Sequence, residues 1–213
     1  MAAQPVFDSD FRERLHALLA WRRDVRRFRR TPLPDGAIER LLELACLAPS
    51  VGLSEPWRFV VVEEPARRAA IRRNFLDCNA AALAAAPAPR AARYARLKLA
   101  GLEEAPCHLA IFANSGTRQG HGLGRRTMPE TIAYSAVAAA HTLWLAARAE
   151  GIGMGWVSIL DPIAVAAALD VPAEWSLIGY FCLGYPEEED DMPELQRADW
   201  ERRRPTAQIF LRR

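Results

Sequence analysis

TMPETIAYSAVAAAHTLWLAARAEG, residues 127–151, decides the architecture. Thr127 with Glu130 three residues on reads as a capping box, and Pro129 sits in the first turn. Gly151 suits the C-terminal cap. The helix between them spans roughly 34 Å at about 1.5 Å per residue. It is apolar almost all round, the pattern of a central buried helix. His141, Thr142 and Arg148 interrupt its most apolar part, so it reads as a soluble core helix and not as a membrane span.

On the C-terminal side, GMGWVSIL (153–160) reads as a strand, PIAVAAAL as a short helix and SLIGYFCLGY (176–185) as another strand. On the N-terminal side, residues 8–21 and 35–48 read as helices. In the second of these, Ile38, Leu41, Leu42, Ala45 and Cys46 fall at helical spacing, and Pro49 stops it. WRFVVVEE (57–64) and CHLAIFANS (107–115) read as strands. Residues 65–105 are alanine-rich and read as two helical pieces broken near Pro87 and Pro89. Such a segment suits a mobile flap as well as a plain helical hairpin. GTRQGHGLGRR (116–126) is a glycine-rich loop whose spacing is not that of a dinucleotide fingerprint. Residues 186–204 are charged and irregular, and QIFLRR (208–213) reads as a closing strand. No linker divides the chain, so one α+β domain over 1–213 is expected.

Composition narrows the function classes. Apolar residues make up 51% and charged residues 25% of 213, an ordinary globular balance. The net charge is +2, yet RRDVRRFRR (22–30) alone holds six arginines and one aspartate. Removing those from 28 basic and 26 acidic residues leaves 22 against 25, a balance of −3. The basicity is local, which argues against a nucleic-acid binder. Cys46, Cys78, Cys107 and Cys182 have no CxxC spacing, and all but Cys78 lie in apolar runs. Buried free thiols and a reducing cytoplasm are expected. MAAQPVFDSD has neither the charged nor the apolar region of a signal peptide.

His16, His108, His121 and His141 lack metal-ligand spacing, so no metal site is expected. There is no GxSxG, and no cysteine in an electropositive turn. The arginine run leaves two readings open. It is a solvated face, or a clamp that holds one phosphate through bidentate, charge-assisted bonds. Arg202, Arg203 and Arg204 form a second cluster that could converge on the same dianion. Asp24 is a local salt-bridge partner or a carboxylate placed for proton transfer. APSVGLSEPW (48–57) is a turn with exposed hydroxyls that could meet the edge of a planar heterocycle, or a simple helix stop with Trp57 as core. GMGWVSIL sets glycines beside Trp156 and Ser158, and a strand glycine often marks close approach of a ligand or another backbone.

RRDVRRF (22–28), LAPSVGLSEPWRFV (47–60), LKLAGLEEAP (97–106), GHGLGRRTMPETIAYS (120–135), LWLAARAEGIGMGWVSIL (143–160) and LGYPEEE (183–189) occur in this order. In combination the chain resembles, from about residue 8 to 205, the BluB-type 5,6-dimethylbenzimidazole synthases. These are a branch of the FMN-dependent nitroreductase superfamily. The aspartate inside the arginine run and the GHGLGR–TMPET segment resemble that branch in particular.

The resemblance implies a nitroreductase-like α+β fold, with a mixed central sheet flanked by helices, in an intertwined homodimer. Two FMN sites would lie between subunits, and residues 186–213 would wrap the partner. It also implies a reaction in which reduced FMN is substrate as well as apparent cofactor. With O2, its ring yields 5,6-dimethylbenzimidazole, the lower ligand of vitamin B12, and erythrose 4-phosphate is released. Arg22, Arg23 and Arg26 match phosphate and ribityl contacts, and Arg203, with Arg202, a late phosphate contact. Ser50 matches a turn meeting the flavin from one subunit, Leu97 a flap residue, and Gly155 and Trp156 backbone contacts to the ring. Asp24 and Ser158 match the acid and the serine of ring fragmentation. The glutamates of the EED triplet (188–190) read as solvated, and Arg27, Arg29 and Arg30 have no assigned role. A flavin reductase partner, or NAD(P)H itself, would supply the reduced flavin. The competing expectation is an NAD(P)H nitroreductase or flavin reductase that keeps its FMN intact.

Overall fold

In the computed structural model, which describes residues 5–85, 87, 100–206 and 209–212, two apolar runs form the middle of a four-stranded sheet. These are β2 (Cys107–Asn114) and β4 (Trp175–Gly184), with β1 (Trp57–Val61) outside β2 and β3 (Gly153–Val157) outside β4. All three strand pairs are antiparallel. The parallel element that makes the sheet mixed is an isolated bridge, Asp24 to Met154.

Alternation along β2 divides two cores. Leu109 and Ile111 face one side with Phe181, Leu183 and Met154. There they meet α2 (Ala37–Ala45) and α5 (Thr131–Ala149), through Leu41, Ala45, Ala140, Leu143 and Ala147. Ala110 and Phe112 face the other side with Tyr180, Cys182 and Val157. There they meet α3 (Pro65–Ala85) and α6 (Pro162–Leu169), through Ile71, Phe75, Val165 and Leu169. A strand buried on both faces reads as a continuous apolar run, which is why β2 was legible. Each large side chain so buried contributes about 1.5–3 kcal/mol. The polar pair inside, His108 Nδ1 and the Tyr180 hydroxyl, is satisfied at 2.9 Å.

The remaining elements are α1 (Ser9–Trp21), a single turn α4 (Gly101–Glu104) and a single turn α7 (Glu194–Arg197). Asp8 caps α1 by accepting the Phe11 N–H at 2.8 Å. No residue of α1 is buried, and Phe11, Leu15 and Leu19 stand exposed on one stripe.

The structure corrects several expectations. The helix at 127–151 starts later, at Thr131, and Glu130 is its N-cap without a side-chain bond. Pro129 and Thr131 form a turn instead, with the Thr131 hydroxyl donating to the Met128 carbonyl at 2.6 Å. Nor is the helix buried all round, because Tyr134 and Val137 are exposed. Its end is as expected. Gly151 has φ +75°, the Ile152 N–H reaches the Ala147 carbonyl at 2.8 Å, and the Gly151 N–H reaches Arg148 at 3.0 Å. Cys46 is exposed because it lies at the C-cap of α2, outside its buried face. Residues 209–212 make no strand. Residues 86 and 88–99 of the segment expected to hold the flap, Pro89 among them, lie outside the described residues.

Candidate functional site

The arginine run is neither helix nor free loop. Arg22 ends α1, and the chain then runs extended beside the sheet. The Val25 N–H donates to Met154 at 3.1 Å, the Arg29 N–H to Tyr185 at 2.8 Å, and the Glu187 N–H to Arg27 at 3.2 Å. Phe28 is buried at 4% exposure, so the run has an apolar anchor under its charges. Gly155 is what admits it. A Cβ there would collide with the Val25 carbonyl oxygen. The close approach expected at this glycine is therefore by another backbone.

This stitching fixes Asp24. One carboxylate oxygen accepts the Trp156 N–H at 2.8 Å. The other lies 3.6 Å from Arg26 Nε. Desolvation pushes its pKa above the usual carboxylate range, and Glu194 adds to that. The Trp156 N–H, Arg26 and Arg22 pull the other way without overcoming it. The carboxylate is packed deep among protein atoms, yet 38% of its side chain remains open. It opens onto a pocket of about 550 Å³ that Arg23, Arg26, Glu187, Asp190 and Glu194 also line.

Arg22, Arg23 and Arg203 converge on a smaller adjoining pocket of about 140 Å³ with Asp24, Arg26 and Glu194. Arg22 lies over the Trp144 ring, 4.8 Å from its centroid. The Trp144 indole N–H donates to the Arg23 carbonyl at 3.2 Å. Burial lowers the proton affinity of Arg22 and Arg23. The charge of Arg203 lowers both further, while Asp24 acts the other way on Arg22. Three guanidiniums drawn together at such a cost form a cradle that suits a phosphate dianion.

The other expected site residues are placed differently. Arg202 turns to Asp199 at 3.9 Å and lines neither pocket, so Arg203 is the late arginine that reaches the cluster. Ser158 is exposed, one residue beyond β3. Ser50 lines neither arginine pocket and sits in the turn that packs on the start of α5 through the Val51 N–H and Ser135 Oγ at 3.0 Å. The hydroxyls of that turn point inward. Ser50 Oγ accepts the Glu55 N–H at 3.1 Å, and Ser54 is buried at 2% exposure. Trp57 is core. Leu97 lies outside the described residues. Trp156 packs its ring on Phe181, 4.9 Å between centroids. Its indole nitrogen is buried with no hydrogen-bond partner among the described residues.

Three participants escaped the sequence reading: Trp144, the Asp191 carbonyl that accepts from the Arg23 guanidinium, and Glu194, 3.7 Å from Arg26. None has a spacing signal, because each meets the run from more than 100 residues away. Glu189, expected to be solvated, holds Arg148 through bonds of 3.0 and 2.9 Å.

The profile of the Nitroreductase family matches residues 19–185. The chain is 58% identical over 205 residues to a 5,6-dimethylbenzimidazole synthase of Rhodospirillum rubrum, covering 96% of this chain and 97% of that one. It is 46% identical over 200 residues to a 5,6-dimethylbenzimidazole synthase of Rhodobacter capsulatus, covering 94% and 97%. A nitroreductase from Exiguobacterium sibiricum, solved in complex with FMN, superposes with a TM-score of 0.70 at 16% identity over the whole of both chains. At that identity the likeness speaks for the fold.

Proposed function

The chain belongs to the nitroreductase family, and from that premise we propose that it is an oxidoreductase that fragments reduced FMN with O2. The products are 5,6-dimethylbenzimidazole, erythrose 4-phosphate and the oxidised four-carbon remainder of the pyrimidine ring, which takes up the oxygen. The activity of its relatives, 58% and 46% identical over nearly the whole chain, supports this reading. The observation that carries it is Asp24, a carboxylate of raised pKa set inside a phosphate-sized arginine cradle. A flavin enzyme that only relays electrons has no need of a proton-handling carboxyl at the foot of the phosphate site.

The residues present fit the substrate. Arg22, Arg23 and Arg203 hold the phosphate, which fixes the ribityl chain relative to the ring. The Trp156 N–H holds one Asp24 oxygen still, so the other is free to give or take a proton. Ser158, just past β3, offers a hydroxyl donor on the same edge of the sheet. Reduced FMN supplies the electrons and the ring that is cut, and O2 accepts the electrons.

The site is completed by a second copy of the chain. Ser50 lines neither arginine pocket within one chain, so in this reading the turn that meets the ring comes from the partner. The exposed stripe Phe11, Leu15 and Leu19, together with Tyr134 and Val137, supplies apolar surface for that homodimer. Because each turnover consumes the flavin, a separate flavin reductase, or NAD(P)H directly, supplies fresh reduced FMN.

Mixing the protein with reduced FMN and air tests the reading. The expected result is loss of flavin absorbance matched by the ultraviolet signature of dimethylbenzimidazole. Steady NAD(P)H oxidation with the flavin intact would return the protein to the ordinary flavin reductases.

A further inference from the structure

Arg26 does not serve Asp24 alone. Its Nε lies 3.6 Å from Asp24 Oδ2 and 3.7 Å from Glu194 Oε2, so one guanidinium is divided between two carboxylates. Glu194 opens α7, 170 residues along the chain from Asp24, and lines both the larger pocket and the arginine cradle. The Arg26 side chain is 13% exposed and the Glu194 side chain 36%, so the contact lies at the mouth of the pocket without being lost in solvent. We propose that Glu194 is a positioning residue for Asp24. By taking half of Arg26 and adding a negative charge nearby, it keeps Asp24 ready to hold a proton.

The rest of the surroundings are consistent with this assignment. On the run itself Arg22, Arg23 and Arg26 face the carboxylate. Arg203 faces it from the C-terminal segment. β3 presents only the Trp156 N–H. β4 presents Cys182, whose thiol burial pushes up and keeps neutral. Arg27, Glu187, Glu188, Asp190 and Arg197 stand around the larger pocket. Among these, the acid whose field raises the proton affinity of Asp24 is Glu194. It acts against the pull of Arg26 and Arg22, so its removal takes away an acidic influence that opposes them at Asp24.

This inference rests on the proton-handling role given to Asp24 above, and the test separates the two. Protein labelled with 13C at the aspartate carboxyls is titrated without flavin, and Asp24→Asn identifies the Asp24 resonance. In Glu194→Gln the Asp24 midpoint should fall by about one pH unit. In Glu194→Asp, which keeps the charge, it should return most of the way to wild type. The pH profile for benzimidazole formation should move to lower pH in step. An unchanged midpoint in Glu194→Gln, or an equal fall in both variants, overturns the assignment. So does a shifted midpoint with an unmoved product profile. Product formation by Asp24→Asn would instead overturn the role of Asp24, and the midpoint shift would remain readable without it.

Discussion

Residues 22–30 and 116–126 both set arginines on an irregular backbone, and they come to different ends. The first is pinned by backbone bonds to Met154 and Tyr185 and by buried Phe28. The second folds on itself and on the turn at Val51–Leu53. Leu123 N–H closes onto the Gly120 carbonyl at 2.9 Å, and Gly120, at φ +76°, leaves no room for a side chain against Gly52. Gly120 serves that backbone packing. Arg125 and Arg126 line an open pocket of about 460 Å³ with His121, and no carboxylate is among its lining residues. Arginine count does not distinguish the two regions. What does is a backbone held by the sheet, so that cations and one acid are fixed relative to each other.

Four expectations test that difference. Asp24→Asn should lower benzimidazole formation by at least about a hundredfold while FMN still binds, measured by single-turnover product analysis and flavin fluorescence. Arg22→Ala or Arg203→Ala should weaken flavin binding by about ten- to a hundredfold, the worth of a charge-assisted hydrogen bond. Arg126→Ala should change it by no more than about twofold; equal losses at the two loops would erase the distinction between them. Gly155→Ala forces the run away from β3 and should cost about 1–3 kcal/mol, seen as a lower Tm. Its flavin affinity should fall along with its stability.

The smallest effect is on stability and has a definite sign. The folded-state pKa of Asp24 lies above its unfolded value, so its charge opposes folding above that range. Asp24→Asn should therefore raise the Tm of the flavin-free protein at neutral pH. Solvent reaches 38% of the side chain and screens it, which keeps the rise to about 1–2 °C. The gain should vanish as the pH falls through the raised folded pKa towards the ordinary aspartate value of about 3.9. A Tm that drops at pH 7 would mean that the carboxylate is held for stability.

The parts legible in the sequence are those with a local cause. β2 and β4 show as apolar runs, and Gly151 marks the end of α5 because only a left-handed residue closes that cap. The start of α5 was misread because Thr127 and Glu130 satisfy the pattern of a capping box while Thr131 and Met128 close a different turn. The site was half legible. Arg22, Arg23 and Asp24 announce themselves by density. Arg203 could not be told from Arg202, since only the fold turns one to the cradle and the other to Asp199. Glu194 had no signal, because a glutamate in a charged tail looks the same solvated or paired. Ser50 and Ser158 take their roles from the resemblance, and neither lines the two arginine pockets in a single chain.

Fragmentation of the flavin is tested most directly by the fate of one flavin molecule. Reduced FMN carrying 13C at ribityl C1′ is mixed with one equivalent of protein and O2, and the products are analysed after a single turnover. One labelled dimethylbenzimidazole should form for each flavin consumed, with erythrose 4-phosphate beside it. Recovery of intact labelled FMN, with the oxygen reduced to hydrogen peroxide, would contradict it.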